Sequence, residues 1–200
     1  SDEEVTISAG FPTIWQGVKA VLEASPGKYD LSNLSRVTCG GSSPPISLMR
    51  WYADELGIEM VQGWGMTETN PLGTLSRKVA KRSHLTITEE EQFANTGKAG
   101  LLMPGLEMEI VDENWNPVPH DGESVGELLI KGPWICSEYY KDEQPDKFHG
   151  EWLITGDIAK IDSEQYLIIA DRSKDLIKSG GEWISSVDLE NHIVALEGVR

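Results

Sequence analysis

The sequence predicts an α/β fold in three parts: a partial α/β layer, an antiparallel β subdomain, and the start of a truncated α+β C-terminal domain. Three observations predict it. Apolar residues in the first third recur at helical spacing and alternate with short β-type runs; from Gly105 the apolar period falls to two; after residue 171 a helical stripe begins afresh.

Ile14, Val18, Val21 and Leu22 stand at i, i+4, i+7 and i+8, with Pro12 near the start and Pro26-Gly27 behind them. They read as an amphipathic helix whose apolar face belongs to the core. A short strand follows over Leu34 to Cys39. The turn GGSSPP at 40–45 leads into a second helix, on which Ile46, Met49, Ala53 and Leu56 share a face and which Gly57 ends. Residues 58–62 form the next strand. This alternation is the one in which an α/β layer collects ligands at the carboxyl ends of its strands, and GGSSPP and GWGMTE both lie at such ends.

Residues 76–98 are polar and punctuated, with three glutamates at 89–91, and are expected to form a surface loop or short hairpin. LEMEIVD, GELLIKG, EWLITGDIAKID and QYLIIADR then alternate with period two between turn residues, as in an antiparallel β unit or small barrel. Further on, Ser185 and Asp188 have the spacing of a capping box, and Leu189, Ile193 and Leu196 form a helical stripe. A turn and one helix bury no core of their own, so an internal fragment is expected. Its parts are residues 1–75, residues 76–171, and a hinge with the start of a small domain at 172–200.

A hydrophobic content of 39% supports a real core. The net charge of -16, from 33 acidic against 17 basic residues, argues against nucleic-acid binding, which needs a clustered basic face. Cys39 and Cys136 have neither metal nor redox spacing and fit a reducing cytosol. The four histidines are scattered, so no zinc site is expected. No apolar stretch approaches the roughly 20 residues of a membrane span. Nothing in the composition opposes peripheral membrane contact or a homodimer.

The two glycine-rich turns have open readings. GGSSPP reads first as a tight strand-to-helix turn, with one wall of a slot in which a planar ligand lies against bare backbone as the alternative. In QGWGMTE, residues 62–68, Trp64 is suited to stack on a base or to fill the core. Thr67 can donate to a phosphate oxygen and Glu68 can offer hard oxygens to Mg²⁺, or the two simply start a helix. In TGD at 155–157, Asp157 at a strand end can accept from two vicinal hydroxyls or cap a β-turn. Arg172 can reach the same sugar or an α-phosphate, or form a surface ion pair.

AGFPTIW, QGWGMTET, WLITGD and DRSKDLIKSGGEWISSVDLEN occur here in one order, over essentially the whole chain. Together they resemble the adenylate-forming superfamily of acyl-CoA synthetases, peptide-synthetase adenylation domains and luciferases. SGGEWISSVDLEN is most similar to medium- and long-chain fatty acid CoA ligases and to relatives acting on short thioether or branched acids. The resemblance implies a nucleotide-binding α/β layer, with Gln62, Gly63, Trp64 and Gly65 around adenine, Thr67 on the α-phosphate and Glu68 on Mg²⁺. Gly40, Gly41 and Ser42 would wall adenine and the acyl carboxylate, Asp157 would hold the ribose hydroxyls, and Arg172 the ribose and phosphate side. Lys174 matches the hinge, Lys178 and Trp183 match residues that close over the adenylate, and Gly180 and Gly181 border the pantetheine tunnel.

The implied ligands are ATP or AMP, Mg²⁺, coenzyme A and a small carboxylic acid. The Ser/Thr/Gly-rich phosphate loop and the small-domain catalytic lysine of such proteins have no match in these residues, so the fragment alone is expected to be inactive. Loading of a carrier protein, oxidation of a luciferin, and a non-catalytic nucleotide-binding module are the competing readings.

Overall fold

The computed structural model describes residues 3–77, 88–141, 145–172, 177–179 and 182–184, and the chain divides into two compact units, Ser1–Met103 and Pro104–Arg200. The first unit runs β1 (Ile7–Gly10), α1 (Pro12–Ala24), β2 (Arg36–Cys39), α2 (Ile46–Leu56), β3 (Glu59–Trp64), β4 (Thr74–Ser76), α3 (Glu89–Thr96) and β5 (Leu101–Leu102). Its five strands lie in the order β1-β2-β3-β4-β5. The first three are parallel, β4 adds antiparallel to β3, and β5 adds antiparallel to β4. The sequence reading drew its first boundary after residue 75, whereas this sheet continues through Leu102.

Pro12 opens α1, where its fixed φ suits the first turn and its missing N–H costs nothing. The helix buries Pro12 and Trp15, while Ile14 and Val21 are about half exposed. The expected Ile14–Val21 face is therefore corrected to one centred on Trp15. The larger ring sets the rotation: Trp15 Nε1 donates to the Thr38 carbonyl at 3.3 Å, and the Tyr52 hydroxyl donates to the Trp15 carbonyl at 2.8 Å. On α2 the buried residues are Leu48, Met49 and Tyr52, with Ile46 exposed, so that face also turns from the expected one. Gly57 ends α2 in the left-handed region, its N–H on the Ala53 carbonyl. Trp15, Val37, Cys39, Leu48, Met49, Tyr52, Ile58 and Met60 form the core, each large apolar side chain contributing about 1.5–3 kcal/mol by burial.

Two further expectations change. The strand expected over 58–62 extends to Trp64, so the aromatic closes the strand rather than following it. Part of the expected 76–98 loop is β4 and α3. Thr88 caps α3: its hydroxyl accepts the Glu91 N–H at 3.2 Å, while the Glu91 carboxylate accepts the Thr88 N–H at 2.7 Å. That reciprocal bonding, with acid at a helix N-terminus, makes the acidic run a helix start.

The second unit contains β6 (Glu107–Val111), β7 (Gly126–Lys131), β8 (Phe148–His149), β9 (Trp152–Ile161), β10 (Leu167–Arg172), β11 (Ile177–Ser179) and β12 (Glu182–Ile184). An antiparallel sheet runs β10-β9-β7-β6, with β8 on β9, and β11 pairs β12 separately. Leu128, Leu129 and Ile130 are all buried, so central β7 is covered on both faces. The helix expected after Ser185 lies outside the described residues. No helix among those described is long and apolar enough to cross a membrane.

Candidate functional site

The two glycine turns leave neighbouring parallel strands at the same end, because Cys39 of β2 pairs with Gln62 of β3. Gly40 faces the Gly63 carbonyl: a Cβ on Gly40 would lie 3.7 Å from that oxygen. Gly41 has φ +84° and a Cβ there would meet the Phe11 ring at 2.6 Å, so both the backbone and the space require glycine. Ser42 is exposed beside it. Gly65 is more constrained still, since a Cβ would stand 1.9 Å from the Pro71 carbonyl oxygen.

Between the turns lies Gln62, only 4% exposed. Its Nε2 donates to Ser43 Oγ at 2.7 Å and links β3 to the GGSSPP turn, while its Oε1 is buried with no hydrogen-bond partner among the described residues. A buried acceptor left unmade costs about 1–3 kcal/mol. Trp64 is itself mostly buried, at 9% exposure, and forms the floor of the strand end rather than an open platform.

Thr67 is exposed and Glu68 half-buried on a 3₁₀ turn spanning Thr67–Thr69. Buried Thr69, which the sequence reading passed over, ties that turn down. Its Oγ1 accepts the Met66 N–H at 2.8 Å and lies 2.9 and 2.7 Å from the Met66 and Pro71 carbonyls to which it can donate. Cys39, next to Gly40, is no nucleophile: burial pushes its thiol up to about 11.

In the second unit Asp157 is not at a strand end or in a β-turn, as the sequence suggested, but inside β9. Glu127 pairs with Ile158 and Leu129 with Ile154, so Thr155, Gly156 and Asp157 bulge opposite Leu128 alone. Side chains hold the bulge. Thr155 Oγ1 donates to the Leu128 carbonyl at 2.9 Å and accepts the Asp157 N–H at 3.1 Å, and Glu127 Oε1 accepts the Gly156 N–H at 2.9 Å. Burial raises the Glu127 carboxyl above its ordinary range; the Gly156 bond opposes this, the Asp157 charge adds to it and Lys147 opposes it. On the other side of β9, Arg172 pairs in register with Asp157.

The structure therefore brings together Gly40, Gly41, Ser42, Gln62, Gly63, Trp64 and Gly65 in one unit, and Asp157 with Arg172 in the other. Lys178 and Trp183 are register partners across β11 and β12. Lys174, Gly180 and Gly181 lie outside the described residues. Among those described, no group of three or more His, Cys, Asp or Glu forms a ready cation cage. A single carboxylate such as the expected Glu68 is compatible with Mg²⁺, which takes one or two carboxylates and completes its shell with water and phosphate.

The profile of the AMP-binding enzyme family matches residues 1–140. The chain is 41% identical over 192 residues to a 3-methylmercaptopropionyl-CoA ligase of Ruegeria lacuscaerulensis, covering 96% of this chain and 35% of that protein. It is 44% identical over 206 residues to a long-chain-fatty-acid–CoA ligase of Thermus thermophilus, covering 99% and 36%. The o-succinylbenzoate coenzyme A synthetase of Bacillus subtilis, solved in complex with ATP and magnesium ion, superposes with a TM-score of 0.76 at 26% identity, covering 96% of this chain and 37% of that one. The chain spans about a third of the length of the curated relatives it matches.

Proposed function

The chain belongs to the AMP-binding enzyme family, and we propose that the whole protein is an ATP-dependent acid–thiol ligase that activates a carboxylic acid as acyl-AMP and passes the acyl group to coenzyme A. The observation that carries this reading is the family match over residues 1–140 together with two glycine turns at the carboxyl ends of neighbouring parallel strands. Ligands of α/β sheets bind at such strand ends.

In the first half-reaction a carboxylate oxygen attacks the α-phosphorus of ATP and pyrophosphate leaves. In the roles that the family resemblance implies, Thr67 would donate to the α-phosphate oxygens as charge gathers there, and Asp157 would accept from the ribose hydroxyls. Mg²⁺, held by Glu68, supplies charge neutralisation on the phosphates when bound. In the second half-reaction the CoA sulfur attacks the acyl carbon, its proton leaves to solvent, and AMP departs with the electrons of the broken C–O bond.

The relatives 41–44% identical are named for a short thioether acid and for long-chain fatty acids, whereas relatives at 30–33% are named for 4-hydroxybutyrate, ferulate and cinnamate. The more similar names therefore support an aliphatic acid, short or long. We take the substrate to be an aliphatic acid. Pyrophosphate exchange by the full-length protein, over acids from butyrate to palmitate together with 3-methylmercaptopropionate, tests this. Acid-dependent exchange followed by CoA-dependent AMP release is expected. AMP release without CoA consumption would favour carrier-protein loading, and no exchange with any acid would overturn the enzyme reading.

A further inference from the structure

We infer that Glu127 is a positioning residue for Asp157: its carboxylate, through the Gly156 amide, holds the β9 bulge in the form that presents Asp157 to a vicinal diol. The inference rests on the reading of Asp157 as the ribose acceptor. A bulge of three residues opposite one takes its backbone out of the ladder with β7, while Asp157 keeps its register with Arg172 of β10, and N–H groups that leave a ladder need partners. The Asp157 N–H finds Thr155 Oγ1 locally. The Gly156 N–H finds Glu127, which comes from the neighbouring strand and stands 29 residues away in sequence.

Gly156 has φ +76° and open space where a Cβ would stand, and as a glycine it has more intrinsic backbone freedom than any other residue type would have there. Glu127 removes that freedom one bond before Asp157. A brace needed only for folding would be better served by an uncharged acceptor, since Glu127 is part-buried and the Asp157 charge opposes its own. A charged acceptor makes the stronger bond to a backbone N–H, which suits a peptide whose orientation must not drift.

The test uses the full-length protein and compares ATP with 3′-deoxy-ATP in pyrophosphate exchange for Asp157→Ala, Glu127→Ala, Glu127→Gln and Glu127→Asp. Glu127→Ala should raise KM for ATP with little change in kcat and lower the preference for ATP over 3′-deoxy-ATP by about tenfold, because a site built around a hydroxyl loses discrimination when that contact is misplaced. Glu127→Gln, whose Oε1 still accepts from Gly156, should restore most of it, whereas Glu127→Asp, a methylene short, should behave like alanine. If the alanine variant does not fold, the Gln and Asp variants carry the comparison. A purely structural brace would reduce turnover of both nucleotides equally and leave the preference intact, which overturns the inference provided Asp157→Ala abolishes the preference. If Asp157→Ala itself leaves the preference unchanged, the ribose reading fails first and takes the inference with it.

Discussion

A side chain at position 65 would have to share space with the Pro71 carbonyl oxygen, 1.9 Å from where its Cβ would sit. Relief requires moving backbone, so Gly65→Ala should destabilise by at least the roughly 1–3 kcal/mol of ordinary overpacking, read as a lower urea midpoint at unchanged slope. Glu127 makes a prediction of opposite flavour. Its carboxyl is raised in the folded protein, first by burial, so its contribution to stability is full below the ordinary value of 4.5 and is lost as pH rises through the raised one. Glu127→Gln keeps an acceptor and removes the charge. Its stability relative to the parent should therefore grow as pH rises from below 4.5 through the raised value, and a constant difference in urea unfolding would contradict the cause assigned to the shift. At this scale the sequence offers candidates without deciding between readings: Trp64, Thr67, Glu68 and Asp157 stand near glycines, each suited to a ligand and equally to a structural role. The Gln62–Ser43 and Glu127–Gly156 bonds were not legible, because strand register creates them across 19 and 29 residues.

Elements were legible where one periodicity ruled and misread where a single large or polar side chain overruled it. The stripe Ile14, Val18, Val21, Leu22 located α1 correctly, yet Trp15 set its rotation through its own bond to Thr38. The glutamates at 89–91 looked like loop because charge density was weighed before the cap. Their helix depends on Thr88, and Thr88→Ala should cost about 1 kcal/mol, measurable as a lower Tm and as faster amide exchange in α3. Glu91→Gln should cost less, since a carboxamide oxygen still accepts the Thr88 N–H. The TGD segment shows a further limit: alternation marks a strand but does not mark where two extra residues enter it, so the β9 bulge became visible only against β7.

Across the whole molecule, the order of the motifs was more informative than any of them separately, because a family is defined by residues that separate elements bring to one reaction. That reaction has two halves, and the proposed roles divide between them. In its proposed role Glu68 would be needed while the phosphates carry charge and pyrophosphate leaves. Asp157, as the proposed ribose acceptor, would contact a group present in ATP and acyl-AMP alike. Glu68→Gln in the full-length protein should therefore slow acyl-AMP formation by about 10- to 1,000-fold and leave transfer from supplied acyl-AMP to CoA nearly unchanged. Asp157→Ala should weaken binding in both halves, by about 1–3 kcal/mol for loss of a charged acceptor. A burst measurement of acyl-AMP, followed by a CoA chase on supplied adenylate, separates the two. Equal loss of both halves in the Glu68 variant would place Glu68 on a part of the nucleotide common to ATP and acyl-AMP, and would remove it from the phosphates.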